Sequence, residues 1–149
     1  MFNDEQVLLQ AEIIAIGNEV ISGLIQDTNG RYLSKQLHLL GINVLRITAV
    51  GDDKDSISNV VEGALDRVDI VIITGGLGAT HDDITKDVLA QIFSSKMILD
   101  NKVKNMLEKY FKKRFQEIPS AVHSQYQVPE EATVLYNEKG IAPGFLFKR

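Results

Sequence analysis

Two segments of this chain are apolar at consecutive positions rather than at alternate ones: "IIAI" inside "EIIAIG" (12–17) and "IVII" inside "DIVIIT" (69–74). A strand with one wet face alternates apolar and polar side chains. An unbroken run is what a strand covered on both faces requires, and such strands belong to parallel sheets flanked by helices. The intervening sequence supplies those helices. "DTNGRYLSKQLHLLG" places Leu33, Leu37 and Leu40 on one helical face, with Asp27 or Thr28 to cap its start and Gly41 to stop it. "INVLRITAVG" reads as a further strand. Between Asp53 and Arg67, Ile57, Val60, Val61, Ala64 and Leu65 recur at helical spacing, and Val68 continues the stripe. After "DIVIIT", Ile84, Val88, Leu89, Ile92 and Phe93 line another helix, and a last helix is expected from about Asn101 to Glu117. The β-α-β-α-β-α order defines an α/β domain with a mainly parallel sheet and right-handed crossovers.

Residues 1–10 read as an irregular lead-in, and past Pro119 only short β-like pieces, "ATVLY" and "GFLF", remain, arranged like a hairpin. A single domain over residues 1–149 is expected from the length. The 16 basic and 20 acidic residues leave a net charge of −4, which argues against nucleic acid or an anionic membrane as partner, since both need a basic face. A small phosphorylated ligand, held by backbone N–H groups, remains compatible with that charge. With no cysteine, thiolate catalysis, zinc–thiolate sites and disulfides are excluded. No signal peptide or membrane-length apolar run is seen, so the cytoplasm is the expected location.

Ligands of open parallel sheets collect beyond the carboxyl ends of the strands. Those ends carry "GNEVISG", "VGDD" and "TGGLGATHDD". Gly75, Gly76 and Gly78, following Thr74, free the backbone from side chains that would keep an anion away, and loop N–H groups beside a helix start form an anion site. The same loop also reads as a strand-to-helix turn, with Thr80 as cap and Asp83 as the capping-box acid. It is neither a Walker A loop nor a dinucleotide fingerprint, because His81 stands where the third glycine would be. Asp82 and Asp83 beside a phosphate need a cation between them, and magnesium takes one or two carboxylates together with phosphate oxygens. Asp52 and Asp53 at the neighbouring strand end can complete such a site, although Asp53 reads first as a helix cap. Glu19, after Gly17 and Asn18, can accept from a ribose hydroxyl or a heterocycle N–H; it reads equally as a solvated loop acid. His81 reads as an exposed loop side chain, and the lysines on the last helix as a solvated face.

Together, "AIGNEVISGLIQDTN", "AVGDD" and above all "TGGLGATHDDITK" resemble the molybdopterin-binding domain shared by molybdenum-cofactor biosynthesis proteins of the MoaB/Mog type and by the amino-terminal half of CinA-family proteins. The match runs over about residues 12–147, and its "GNE" and "TGGLG…DD" are closer to CinA. The resemblance implies a three-layer α/β/α sandwich, a homo-oligomer (dimer or trimer), and a glycine loop holding the phosphate of a pterin or nucleotide. The implied ligand residues are Gly17, Asn18, Glu19, Thr74, Gly75, Gly76, Gly78, Thr80 and Thr85. It implies Asp83 and Asp52 as catalytic acids and, with Asp82, as ligands of a divalent cation, magnesium in the first instance. CinA-type domains are associated with metal-dependent hydrolysis of ADP-ribose to AMP and ribose 5-phosphate. The alternative is a module that binds molybdopterin or a nucleotide without turnover, and a third reading is molybdopterin adenylation. Asp82 stands where the adenylating enzymes have a basic residue. The family's Leu-Pro-Gly-rich closing segment and CinA's amidase-type domain are not in this sequence, so no deamidase activity is expected.

Overall fold

The computed structural model describes residues 8–114 and 117–149, so most of the lead-in and the stretch 115–116 lie outside the described residues. The chain divides into two compact units, Met1–Gly75 and Gly76–Arg149. Among the described residues, no helix is long and apolar enough to cross a membrane.

The first unit contains β1 (Gln10–Ile16), α1 (Asn18–Ile21), α2 (Thr28–Leu39), β2 (Asn43–Val50), α3 (Lys54–Leu65) and β3 (Ile70–Thr74). Its three strands run parallel in the order β2-β1-β3. The central strand is buried from Ala11 to Ile16, as its unbroken apolar run requires. Alternate residues of β1 face opposite ways. Ala11 and Ile13 pack with Leu33 and Leu37 of α2 and with Val44, Ile70 and Ile72. Glu12 points to the other face and meets Arg67, just beyond α3. The two helices therefore cover the two sheet faces, giving three layers. Each fully buried isoleucine of this core is worth roughly 1.5–3 kcal/mol; Ile13, Ile14 and Ile57 are fully buried.

Local signals account for the element ends. Asp27 accepts the N–H of Gly30 at 2.8 Å and Asp53 that of Ser56 at 2.8 Å, so both acids are helix caps. Gly41, at φ +76°, ends α2 in a conformation that only glycine adopts without strain. Leu40, expected on the inner face of α2, is 74% exposed instead. It is the C-cap, where the chain leaves the helical stripe.

The second unit contains α4 (Thr85–Ile92), β4 (Met97–Leu99), α5 (Asn101–Lys112), a 3-10 helix (Ser120–Tyr126), β5 (Gln127–Pro129), β6 (Thr133–Leu135) and β7 (Gly144–Leu146). β4 pairs antiparallel with β5, and β6 with β7. The β6–β7 pair is the anticipated hairpin. Val103, Leu107 and Phe111 of α5 pack with Val122 and Val128 in one core. α5 is shorter than its sequence suggested and stops at Lys112, because the Arg114 N–H turns back to the Phe111 carbonyl in a tighter turn.

Candidate functional site

In the first unit the parallel register places the ends of β1, β2 and β3 along one edge of the sheet, so Gly17–Glu19, Asp52 and Thr74–Gly75 share that edge. The first two ends are cross-linked. The Asn18 N–H donates to Asp52 Oδ2 at 2.9 Å, and the Asp52 N–H donates to Asn18 Oδ1 at 3.3 Å. Gly17 adds a bond from its N–H to the Val50 carbonyl at 2.9 Å. Glu19 is exposed, and its carboxylate lies over Gly17: a Cβ built there would sit 2.5 Å from Glu19 Oε1. Gly75 adopts φ +93°, and a Cβ on it would fall 1.9 Å from the Ile16 carbonyl oxygen. Glycine is obligatory there because the end of β3 runs against the backbone of β1.

The second unit begins with the rest of the glycine loop. The N–H groups of Gly76, Leu77 and Ala79 have no protein acceptor among the described residues, although all three residues are half-buried. Asp83 closes the loop from the other side. Its Oδ2 accepts the Thr80 N–H at 2.9 Å and the Thr80 hydroxyl. Burial alone would push the Asp83 carboxyl up; hydrogen bonds from the Thr80 hydroxyl, the Thr80 N–H and the Gly78 N–H outweigh it and hold the group below the usual aspartate range. A Cβ on Gly78 would sit 2.5 Å from Asp83 Oδ2, so this glycine leaves room for the carboxylate.

The expected helix cap at Thr80 is not formed. α4 begins five residues later, at Thr85, with Ile84 as N-cap and no side-chain cap. The Thr80–Asp83 contacts instead stand alone as a turn, closed by the Asp83 N–H on the Thr80 carbonyl. Thr85 is buried, and its N–H donates to the Gly76 carbonyl at 3.1 Å, tying the loop to α4. Asp82 and His81 are exposed.

A cavity of about 690 Å³ opens beside this loop, lined among others by Gly78, Thr80, Asp83, Lys86, Ser124 and Gln125. That is the size of a small-molecule site. Two of these residues had no assigned role in the sequence. Lys86 is 8% exposed, and its Nζ donates to the carbonyls of Ser124 (2.8 Å) and Gln127 (3.0 Å). Desolvation pushes its pKa below the ordinary lysine value, with Asp87 opposing. Gln125 is 2% exposed and donates to the carbonyls of Leu77 and Gly78. The Lys86 signal was the lysine ending "DDITK"; Gln125 had none.

Within neither unit do three or more His, Asp or Glu side chains assemble a ready metal site among the described residues. Magnesium does not require one, since it is commonly held by one or two carboxylates plus ligand phosphates. A carboxylate has about four acceptor positions. Asp83 commits three of them to protein donors and Asp52 one, so each, within its own unit, keeps acceptor positions for a cation completed by a ligand.

The sequence and fold comparisons assign the family and the fold. Residues 12–149 match the family model described as "Probable molybdopterin binding domain", and the chain belongs to that family. Within it the domain is CinA-like. A protein of Caldicellulosiruptor saccharolyticus named for competence-damage induction is 44% identical over 140 residues, 94% of this chain. A "CinA-like protein" of Kosmotoga olearia is 42% identical over 140 residues, again 94% of this chain. The chain spans about a third (34%) of the length of each. The crystal structure of the CinA protein of Thermoplasma acidophilum, described as of unknown function, is similar with a TM-score of 0.83 and 29% identity, covering 93% of this chain and 80% of that one. The MoaB protein of Pyrococcus furiosus, titled as tungsten-cofactor synthesizing, shares the fold alone, with a TM-score of 0.57 and 17% identity over 93% of this chain and 81% of that one.

Proposed function

We propose that this CinA-like domain binds a phosphorylated small molecule at its glycine loop and hydrolyses the pyrophosphate of an ADP-ribose-like nucleotide, giving AMP and ribose 5-phosphate. The observation that carries the reading is the half-buried loop whose Gly76, Leu77 and Ala79 N–H groups have no protein acceptor. A run of N–H groups without protein acceptors in a half-buried glycine loop suits an anion. Lys86 adds a buried positive charge at the wall of the same cavity.

In this reading the loop amides hold phosphate oxygens, and Asp83 keeps the loop in its receiving shape through Thr80 and Gly78. Water adds to one phosphorus as the bridging P–O bond breaks, and the departing phosphate keeps the bridging oxygen. A divalent cation, when bound, would neutralise phosphate charge and acidify a water; Asp83, with Asp82 as an exposed neighbour, is the carboxylate of the second unit that would hold it, and Asp52 is the acid that the first unit's sheet edge offers to a cation.

Incubating the protein with ADP-ribose and magnesium and quantifying AMP tests this directly. Asp83→Asn should abolish AMP formation while leaving the fold intact, and unchanged turnover rejects the assignment. A second reading, a binding module for molybdopterin or a nucleotide without turnover, is favoured by the number of protein donors that already occupy Asp83. Saturable ADP-ribose or molybdopterin binding with no AMP supports it, and absence of any binding removes both. We also propose that the domain assembles with copies of itself, which the sedimentation velocity of the purified chain decides.

A further inference from the structure

Gln125 lies 47 and 48 residues along the chain from the glycine loop, yet its side chain bonds to that loop twice, at the carbonyls of Gly78 and Leu77. Both partners are acceptors, so the amide must present Nε2 to them; reversed, Oε1 would face two carbonyl oxygens. In this orientation Oε1 is buried and has no partner among the described residues. An unmatched buried acceptor is unfavourable, so this glutamine serves through its donor side.

The consequence follows from the trans peptide unit, in which C=O and N–H point in opposite directions. Drawing the Leu77 carbonyl toward Gln125 turns the Gly78 N–H the other way, where it acts on Asp83. Drawing the Gly78 carbonyl the same way turns out the Ala79 N–H, one of the loop donors without a protein acceptor. The segment carrying Gln125 is itself pinned. Lys86 Nζ grips the carbonyls of Ser124 and Gln127 on either side of it, and Lys86 belongs to α4, the helix that follows the loop. Loop, helix and 3-10 turn thus close a circuit of hydrogen bonds.

We infer that Gln125 is a positioning residue: it fixes the two peptide planes at Leu77–Ala79 so that their N–H groups face Asp83 and the ligand rather than the protein interior. This rests on the reading that the glycine loop anchors the ligand, but its test does not depend on turnover. The Gln125→Met variant keeps side-chain length and removes the donor. By NMR hydrogen exchange at a pH where both proteins are folded, the Gly78 and Thr80 amides should exchange at least about tenfold faster in the variant. The Lys102 and Val103 amides, which Asp100 holds at the start of α5 in the same unit, should be unchanged. A merely structural loss of the second unit would move all four. Unaltered exchange at Gly78 and Thr80 in a folded variant overturns the inference. Should the variant not fold, the natural protein decides: the Gln125 side-chain amide must be protected from exchange relative to that of exposed Gln127, and equal rates overturn it. Weakened ADP-ribose binding by Gln125→Met in calorimetry would extend the support to the ligand. If the natural protein binds no ADP-ribose, the proposed function fails while the exchange result still judges Gln125.

Discussion

In the first unit the buried charge is a carboxylate, Glu12, and it meets the Arg67 guanidinium through two bonds of 2.9 Å. In the second it is an ammonium, Lys86, and its protein partners are carbonyls. Glu12 is lowered mainly by the hydrogen bond from Arg67, which outweighs its burial. Lys86 is lowered because burial dominates. The contrast separates a charge that the fold compensates from one that carbonyl dipoles and the charge of Asp87 compensate only in part. A fully paired ion inside a sheet layer is a structural element. A buried cation whose charge is not matched, at the wall of a cavity beside unpaired N–H groups, is an arrangement that an anion completes.

The strongest way to break this contrast uses one glycine from each unit. Gly75→Ala should cost more than about 3 kcal/mol, since positive-φ strain adds to a collision with backbone that cannot give way. Gly78→Ala meets only the movable carboxylate of Asp83. It should keep most of the stability and lose ligand binding. Thermal melts paired with ADP-ribose calorimetry measure both. If Gly78→Ala proved the more unstable of the two, the second unit's loop would be part of the scaffold and not a site.

Next in size is Glu12→Gln, with a loss on the order of 2 kcal/mol from a charge-assisted bond to a buried group. Its pH dependence is distinctive. The folded pKa of Glu12 lies below the unfolded value of 4.5, so the stabilisation is complete above pH 4.5 and fades as pH falls through the folded value. The variant should therefore show its full loss, independent of pH, above pH 4.5 and a shallower acid limb in urea unfolding. Lys86→Met has the same sign at the alkaline end of the pH range and a smaller cost, about 1 kcal/mol, because losing two hydrogen bonds is partly offset by removing a buried charge. With its folded pKa below 10.5, the unfolded chain binds more protons at this site between the two values, so stability rises with pH across that window. That rise should vanish in Lys86→Met, and so should much of the affinity for ADP-ribose.

The two units also differ in how far they could be read from the sequence. β1 and β3 announced themselves by unbroken apolar runs, α2 and α3 by spacing, and Asp53 by standing three residues before the N–H it caps. These are local signals, and the parallel sheet that gathers the strand ends follows from them. The second unit depends on distant pairings. β4 and β5 are three residues each and find one another across about thirty positions, too short for any period to register. "THDD" offers Thr80 as a helix cap and Asp83 as its capping-box acid beside the role proposed for Asp83 at a phosphate, but the helix starts only at Thr85, leaving the same hydrogen bonds to shape a free loop. Lys86 and Gln125 gained roles from contacts 38 to 48 residues away, which no sequence window contains. The glycines were legible as a loop. That Gly75 serves β1 and Gly78 serves Asp83 was not.

The smallest expected effect compares one aspartate from each unit. Asp52 accepts the Asn18 N–H, an interaction that asparagine's own side-chain oxygen can retain, and Asp82 is exposed. Neither Asp52→Asn nor Asp82→Asn should move stability by more than about 0.5 kcal/mol. Ligand binding divides them from structural acids. Without magnesium, Asp82→Asn should bind ADP-ribose more tightly than the natural protein, because a negative charge beside the phosphates is gone. With magnesium the order should reverse, because a carboxylate facing the cation has been lost. The crossing of the two binding curves is the measurement, and the same pair of curves is recorded for Asp52→Asn, where a crossing makes this acid of the first unit a cation ligand. Parallel curves for both variants at every magnesium concentration would assign these acids to solvation of the surface, and would leave the glycine loop and Lys86 as the whole of the phosphate site.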